Sequence, residues 1–206
     1  MKILETKELK IPEIKTIKFG KFSDHRGYFT EHFRKSDLPL EKEIEFLQFN
    51  ESYSKKGTFR GFHIQWNPCM GKLVRAIYGK IIDFALDIRK ESPTYGKIVA
   101  HELQTNIEAN SNKWIWLPPG FAHGVLATED ALIEYLCSSE YNPECEACIS
   151  PLSKTIDWSL CEPDLKGEFD QIISTTDLIT DKDKNGILLA DWGKDERSEN
   201  FIYSQL

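Results

Sequence analysis

No stretch of this chain holds the roughly 18 consecutive apolar residues that a transmembrane helix requires, so none is expected. The start, MKILETKELKIPEIKTIKF, lacks an apolar h-region and a small-residue cleavage site. A secretory signal is therefore not expected, and the cytoplasm is the expected location. Positive charge is in short supply: 26 Lys and Arg stand against 33 Asp and Glu, a formal net charge of −7. That deficit argues against nucleic acid as a partner, because such proteins carry a basic stripe. It leaves room for a small anionic ligand, which a few local cations suffice to hold. Cysteine is sparse and odd in number: Cys69, Cys137, Cys145, Cys148 and Cys161. Without a signal sequence these read as reduced thiols. Cys145-Glu146-Ala147-Cys148 has the form C-x-x-C, but positions three apart in a strand point to opposite faces. No second C-x-x-C or H-x-x-H follows, so neither a zinc site nor a redox pair is expected there. Helical periodicity is scarce, and internal repeats and low-complexity tracts are missing.

What is present is a succession of short strand patterns with Gly and Pro between them. Lys15–Phe22, Phe46–Ser52, Thr58–Trp66, Lys97–Leu103, Lys113–Leu117, Gly124–Ala127, Leu132–Ser138 and Cys145–Ser150 all read as strands. KLVRAIYGKIIDFALDIR reads as a hairpin around Gly79-Lys80. With a two-residue loop, Lys72 would share a sheet face with Asp83 and Asp87, which favours its charged form. A hydrophobic fraction of 40% is enough for a real core in 206 residues. The expected architecture is all-β, a sandwich or barrel. Residues 1–163 form the expected domain, with its N-terminal arm. Residues 164–206 are polar and irregular, with a turn or two of helix over Glu168–Ser174, and are expected to wrap the core as a C-terminal extension.

The chemistry concentrates in TFRGFHIQWNPCMGKLVR, residues 58–75. His63 and Gln65 alternate with Phe62, Ile64 and Trp66, and Arg60, Lys72 and Arg75 stand close by. A lone histidine is most often a satisfied structural one. Here so many polar groups are costly to bury unless they face each other or a ligand. A second histidine lies in Pro118-Pro119-Gly120-Phe121-Ala122-His123-Gly124. Its P-x-G-x-x-H spacing occurs in the second half of cupin metal sites, whose first half needs H-x-H and a nearby acid. Here the pair is His63-x-Gln65, and Pro68, Cys69 and Met70 occupy the acid's place. Two histidines without a third strong ligand make a poor metal site, so a cupin-like jelly roll without metal is expected. A histidine in such a pocket suits general base catalysis, since imidazole titrates near neutrality. Tyr135, in the alternating Ile133-Glu134-Tyr135-Leu136, is either a packed aromatic or an acid. Lys72 suits the stabilisation of a developing oxyanion. Simple alternation puts Arg60 opposite His63, unless Gly61 carries a bulge or Arg60 reaches round the strand end.

The chain resembles the dTDP-4-dehydrorhamnose 3,5-epimerase family. The resemblance rests on Asp24-His25-Arg26-Gly27-Tyr28-Phe29-Thr30-Glu31, Gln48-Phe49-Asn50-Glu51-Ser52, Arg60-Gly61-Phe62-His63-Ile64-Gln65, Gly71-Lys72-Leu73-Val74-Arg75 and Asp83–Arg89. It continues through Glu91–Gly96, Pro119–Gly124, Tyr135 and Tyr141-Asn142-Pro143-Glu144-Cys145-Glu146, in order from about Lys18 to Trp158. It implies a cofactor-free isomerase, a jelly-roll homodimer acting on a nucleotide-linked 4-keto-6-deoxy sugar. By the same resemblance, His63 removes the proton alpha to the ketone, Tyr135 returns one from the opposite face, and Lys72 steadies the enolate. Arg60 and Arg26 hold the diphosphate. Glu31, Gln48, Asn50, His123, Glu146 and Lys182 match other substrate contacts, and Tyr141 matches an aromatic that stacks on the base. The family's N-terminal strand, carrying the counterparts of Arg26 and Glu31, reaches a partner subunit's site. Its C-terminal Lys-Asp, in which the Asp pairs with the base, is matched by Lys182-Asp183.

Asp183 also has a rival reading, since Asp181-Lys182-Asp183-Lys184-Asn185-Gly186 mimics the start of a calcium loop. Its twelfth position is Trp192 rather than Glu. Two other functions compete with the epimerase: a metal-dependent cupin enzyme using His63 and His123, and a non-catalytic sugar-nucleotide binding module.

Overall fold

The computed structural model describes residues 2–206. In chain order its strands are β1 (Ile3–Glu8), β2 (Lys15–Gly20), β3 (Phe22–Asp24), β4 (Gly27–Phe29), β5 (Gln48–Ser54), β6 (Phe59–Gln65) and β7 (Lys72–Tyr78). They continue with β8 (Lys80–Asp87), β9 (Ile98–Gln104), β10 (Ser111–Leu117), β11 (Phe121–Ala127), β12 (Ala131–Cys137) and β13 (Glu146–Cys148). Helices α1 (Pro163–Ile173), α2 (Asp181–Lys184) and α3 (Leu189–Trp192) follow. One sheet runs β1-β2-β10-β7-β12-β5 and the other β13-β6-β11-β8-β9, all pairs antiparallel. The two stack as a cupin-like jelly roll, the all-β fold the strand pattern predicts. β3 and β4 form a separate ribbon. Among the described residues no helix is long and apolar enough to cross a membrane, and all five cysteines are free.

Strand β8 shows why its sheet is apolar on both faces. In KIIDFALD, Ile81 and Ala85 join the cluster between the sheets, with Val74, Ile115, Phe121, Val125 and Ile133. Ile82, Phe84 and Leu86 join a second cluster on the other face. That outer face is covered from the C-terminal region: Phe169 of α1, Leu189 and Trp192 of α3, and Phe201 are at most 3% exposed and share the cluster with Phe59, Phe62 and Phe84. The Phe84 and Phe169 rings lie 5.4 Å apart, edge to face. Burying a side chain of this size stabilises the fold by about 1.5–3 kcal/mol, which is why so polar a segment stays attached. The other sheet is covered on its outside by Leu38, Leu40, Ile44 and Phe46, packed against Leu73 and Trp116.

The predicted hairpin around Gly79 is a correction. Strands lie on both sides of it, but β7 pairs with β10 and β12 while β8 pairs with β9 and β11. Gly79, at φ +68°, takes the chain from one sheet to the other, and a Cβ there would stand 2.0 Å from the Asp130 carbonyl oxygen. Lys72 and Asp83 therefore interact across the sandwich and not along one sheet.

Candidate active site

The site begins with a bulge. Val125 and His123 are two positions apart on β11, while their partners Arg60 and His63 are three apart on β6. The extra residue centres on Gly61, at φ +129°, a conformation that strains any residue with a Cβ. A Cβ on Gly61 would also lie 2.5 Å from the His123 carbonyl oxygen. The bulge resets the alternation: Phe59 and Phe62 both enter the outer cluster, and Arg60 joins His63 on the inner side. This resolves the placement that simple alternation left open. Arg60 sits at the exposed strand end, where its Nε donates to Ser54 Oγ at 3.0 Å and its Nη2 to the Tyr53 carbonyl at 3.3 Å. Its charge reaches Tyr135.

Inward positions at this end of the sandwich line a cavity of about 360 Å³. His63 and Gln65 come from β6, Lys72 from β7, His123 from β11, Tyr135 and Cys137 from β12, and Gln48 and Asn50 from β5. Tyr141 and Glu146 stand on the same wall. His63 and His123 thus belong to one sheet, and Tyr135 and Lys72 to the other.

Each histidine rests on its own carboxylate. His63 Nε2 lies 2.7 Å from Asp183 Oδ1; the histidine side chain is 30% exposed and the aspartate 5%. A carboxylate only accepts, so Nε2 carries the proton and Nδ1 keeps the lone pair. Asp183 sits in α2, whose N-cap Thr180 accepts from the Asp183 amide at 3.2 Å. Burial works to raise the Asp183 carboxyl. The hydrogen bond and charge of His63, the Gly61 amide and the Thr180 hydroxyl outweigh it, and the group sits below its ordinary value. Behind it, His123 Nε2 lies 2.8 Å from Asp83 Oδ2, and Asp83 Oδ1 has no partner. Burial pushes His123 down, against the pull of Asp83, so it stays neutral near pH 7.

Burial pushes the Lys72 ammonium down, with Cys137, Asp83 and Glu146 opposing. Its Nζ stands 6.0 Å from the centre of the Tyr135 ring. Burial raises the Tyr135 phenol, which therefore remains protonated in the neutral range. A neutral phenol, a half-exposed imidazole and a lysine with depressed basicity in one cavity are the components of proton transfer to and from carbon.

The remaining residues hold the mouth. Gln65 is a clamp, not a ligand. Its Nε2 donates to the carbonyls of Pro68 and Glu140, both at 3.0 Å, and its Oε1 accepts from the Asn142 amide at 2.8 Å. Tyr141 donates from its hydroxyl to Glu146 Oε2 at 3.0 Å and from its amide to Gln48 Oε1 at 2.8 Å. Lys182 Nζ reaches the same Glu146 oxygen at 2.6 Å, so Lys182 and Asp183 serve the two sides of one wall. Gln48 Nε2 donates to Asn50 Oδ1 at 3.0 Å.

Arg26 and Glu31 lie outside this chain's own cavity: Arg26 pairs with Asp24 on the exposed β3–β4 ribbon, and Glu31 pairs with Arg34. Two sequence-level readings change. Arg75 points out of the other sheet face toward Glu134 and His32, because β7 alternates and Lys72, Val74 and Ala76 turn inward. The calcium-loop reading gives way to a helical turn, with Asp183 buried against His63. Asp83 and Cys137 were missed as site residues. The signal for Asp83 was its place between Ile81 and Ala85 at an inward parity, where an acid must have a partner.

Fold and site together define a cupin-like enzyme with an acid–base pocket between its sheets. The comparisons with known proteins carry this further: the family model for dTDP-4-dehydrorhamnose 3,5-epimerase matches residues 8–191. The chain belongs to this family, and it is an isomerase. The match extends past Trp158 and takes in Asp183. The dTDP-4-dehydrorhamnose 3,5-epimerase of Shigella flexneri is 34% identical over 93% of this chain and 97% of its own. The crystal structure of a dTDP-6-deoxy-D-glucose-3,5-epimerase from Legionella pneumophila, in complex with dTDP-4-keto-L-rhamnose, has a TM-score of 0.77. It is 31% identical, with 98% of this chain and 99% of that one covered. A 3'-monoepimerase from Streptomyces bikiniensis, in complex with dTDP-quinovose, has a TM-score of 0.72 at 28% identity, covering 89% and 87% of the two chains.

Proposed function

We propose that this protein inverts C3, C5 or both in a dTDP-linked 4-keto-6-deoxy sugar, using its own side chains and no metal. The observation that carries the reading is the placement of His63 and Tyr135: they line one cavity from opposite sheets. A sugar ring lying between the sheets meets a base on one face and an acid on the other, which is what inversion needs.

A sugar C–H is acidic enough for removal only beside a carbonyl, and C3 and C5 both flank the C4 ketone. Nδ1 of His63 takes the proton, and Asp183 holds the ring and steadies the imidazolium. The electrons move to the C4 oxygen, where the Lys72 ammonium stabilises the enolate. The Tyr135 phenol then delivers its proton to the same carbon from the opposite face; the His63 imidazolium gives its proton to solvent, and the phenolate is reprotonated from solvent. Arg60 at the mouth suits the diphosphate, and Tyr141 the base. The exposed β3–β4 ribbon carries Arg26 with Phe22, Tyr28 and Phe29 uncovered. In this reading it belongs to a homodimer, where Arg26 and Glu31 serve the partner's cavity.

The absence of a metal role is supported by the donors. His123 is committed to Asp83, and Gln65 is committed to the 138–142 loop. A panel of nucleotide-linked 4-keto sugars followed by proton NMR in deuterated water tests the function. Deuterium entering C3 or C5 with inversion supports it and names the carbon. A folded, metal-free sample that binds the nucleotide sugar tightly and exchanges nothing would instead establish the binding module. Activity that returns only with added metal would establish the metal-dependent cupin.

A further inference from the structure

The C-x-x-C of the sequence does not close on itself, but Cys148 has other company. Its Cα partner across β13 and β6 is His63, so the two side chains stand on the same sheet face. Asp183 approaches from α2, which is tied to this edge by the Ile149–Ile187 bridge and by Ser150 Oγ donating to the Lys184 carbonyl at 2.8 Å. One ligand atom each from His63, Cys148 and Asp183 lie within 4.8 Å of one another. Three separate elements thus converge on one point, with Cys148 and Asp183 buried and His63 open to the cavity.

We propose that His63, Cys148 and Asp183 form an inhibitory site for a thiophilic divalent cation, zinc foremost, which takes His63 out of proton transfer. One nitrogen, one sulfur and one oxygen donor are a set zinc accepts, with the fourth tetrahedral position left to water from the cavity. Bonds of about 2.0–2.3 Å at tetrahedral angles hold donors roughly 3.3–3.8 Å apart. The His63–Asp183 pair opens by about 1 Å to reach that spacing, and Cys148, within 4.8 Å of both, has at most about 1.5 Å to close. Thiolate and carboxylate together neutralise the dication, so no net charge is left buried. The step is an exchange without redox change: the Cys148 S–H bond breaks, an S–Zn bond forms, and one proton leaves to solvent. The His63–Asp183 hydrogen bond is replaced by a Zn–Nε2 and a Zn–O bond, and the Nε2 proton moves through solvent to Nδ1. A histidine whose lone pair and hydrogen bond are both reorganised around a metal no longer serves as base.

The inhibitory consequence rests on the role proposed for His63; the binding does not. The two are therefore read separately. Cobalt(II) added to metal-free protein reports binding through the near-ultraviolet charge-transfer band that a cobalt–thiolate bond produces. The band is expected in the native protein and in Cys145→Ser, and is lost in Cys148→Ser and in Cys148→Ala, the second variant guarding against a fold defect in the first. Zinc at micromolar concentration is expected to stop deuterium exchange, and a chelator to restore it. Cys148→Ser, compared with its own metal-free rate, is expected to need at least ten times more zinc. A native protein with no thiolate band, or a band that survives both Cys148 substitutions, overturns the site. A band with undiminished exchange at saturating zinc overturns the inhibition. A protein that shows the band but is not an epimerase would refute the proposed function alone.

Discussion

His63 Nε2 lies 2.7 Å from Asp183 Oδ1, and the two residues are 120 positions apart in the chain. The aspartate is on a single helical turn capped by Thr180, reached only after the chain has covered the outer face of the sheet with α1. Asp183 is thus a positioning residue, acting on the substrate through His63. Asp183→Asn keeps the shape, and its amide oxygen can still accept from Nε2, but the negative charge that steadies the imidazolium is gone. The account expects kcat to fall by about 10²–10⁴, the range of general acid–base contributions, with little change in KM. A pH profile of the variant checks the role, because an orienting carboxylate also sets the protonation of the base. An unchanged profile and rate would leave Asp183 structural.

Lys72 predicts an alkaline limb. Burial pushes its ammonium below the ordinary 10.5, so the charge is lost earlier as pH rises than in a free lysine. Tyr135 is shifted the other way, so it keeps its proton through the same window. The profile of kcat/KM is expected to fall on the alkaline side at a pKa below 10.5. Lys72→Met removes that limb and costs about 10²–10³ in kcat, the usual loss for one oxyanion donor.

Gly61 predicts a stability effect with a functional trace. Ala at φ +129° would place a Cβ 2.5 Å from backbone. Gly61→Ala is expected to destabilise the fold by at least about 1–3 kcal/mol, the cost of the strained backbone before the clash is added. Urea unfolding measures it. Wild-type stability with retained activity would mean that the bulge is not what turns Arg60 inward.

His32 predicts an acid-side loss of stability away from the site. Its Nδ1 accepts from Arg75 Nη1 at 2.6 Å, and burial, aided by the Arg75 charge, lowers it from 6.5 to about 4. The unfolded chain therefore takes up this proton first. The contribution is fully present above pH 6.5 and is lost as the pH falls from there toward about 4. His32→Gln is expected to flatten the stability curve over that window, as followed by thermal melts from pH 7 to pH 4.

Much of this site is legible in the sequence because strand parity is a strong constraint. His63, Lys72, His123 and Tyr135 each interrupt an apolar alternation, and a buried polar side chain at such a position needs a partner. Arg60 was ambiguous because a bulge depends on what the neighbouring strand tolerates. Here that is the close approach of Gly61 to His123 and Gly124. The Gly79 hairpin failed for a related reason: a turn signal marks where a chain reverses, not whether both arms enter one sheet. β1, with five of its six residues exposed, and the β3–β4 ribbon have no apolar alternation facing a core, and they left no strand pattern to read. Asp183 could be placed only through the family resemblance. No local pattern in Asp181–Asn185 says which strand it will meet.

The central claim is that His63 and Tyr135 act on opposite faces of one carbon, and proton NMR of Tyr135→Phe in deuterated water tests it most directly. His63→Asn is expected to exchange no proton at C3 or C5. Tyr135→Phe is expected to keep exchange through His63 while losing inversion, so that deuterium enters with the starting configuration retained. Inversion by Tyr135→Phe at the wild-type rate, or exchange by His63→Asn, would contradict the account.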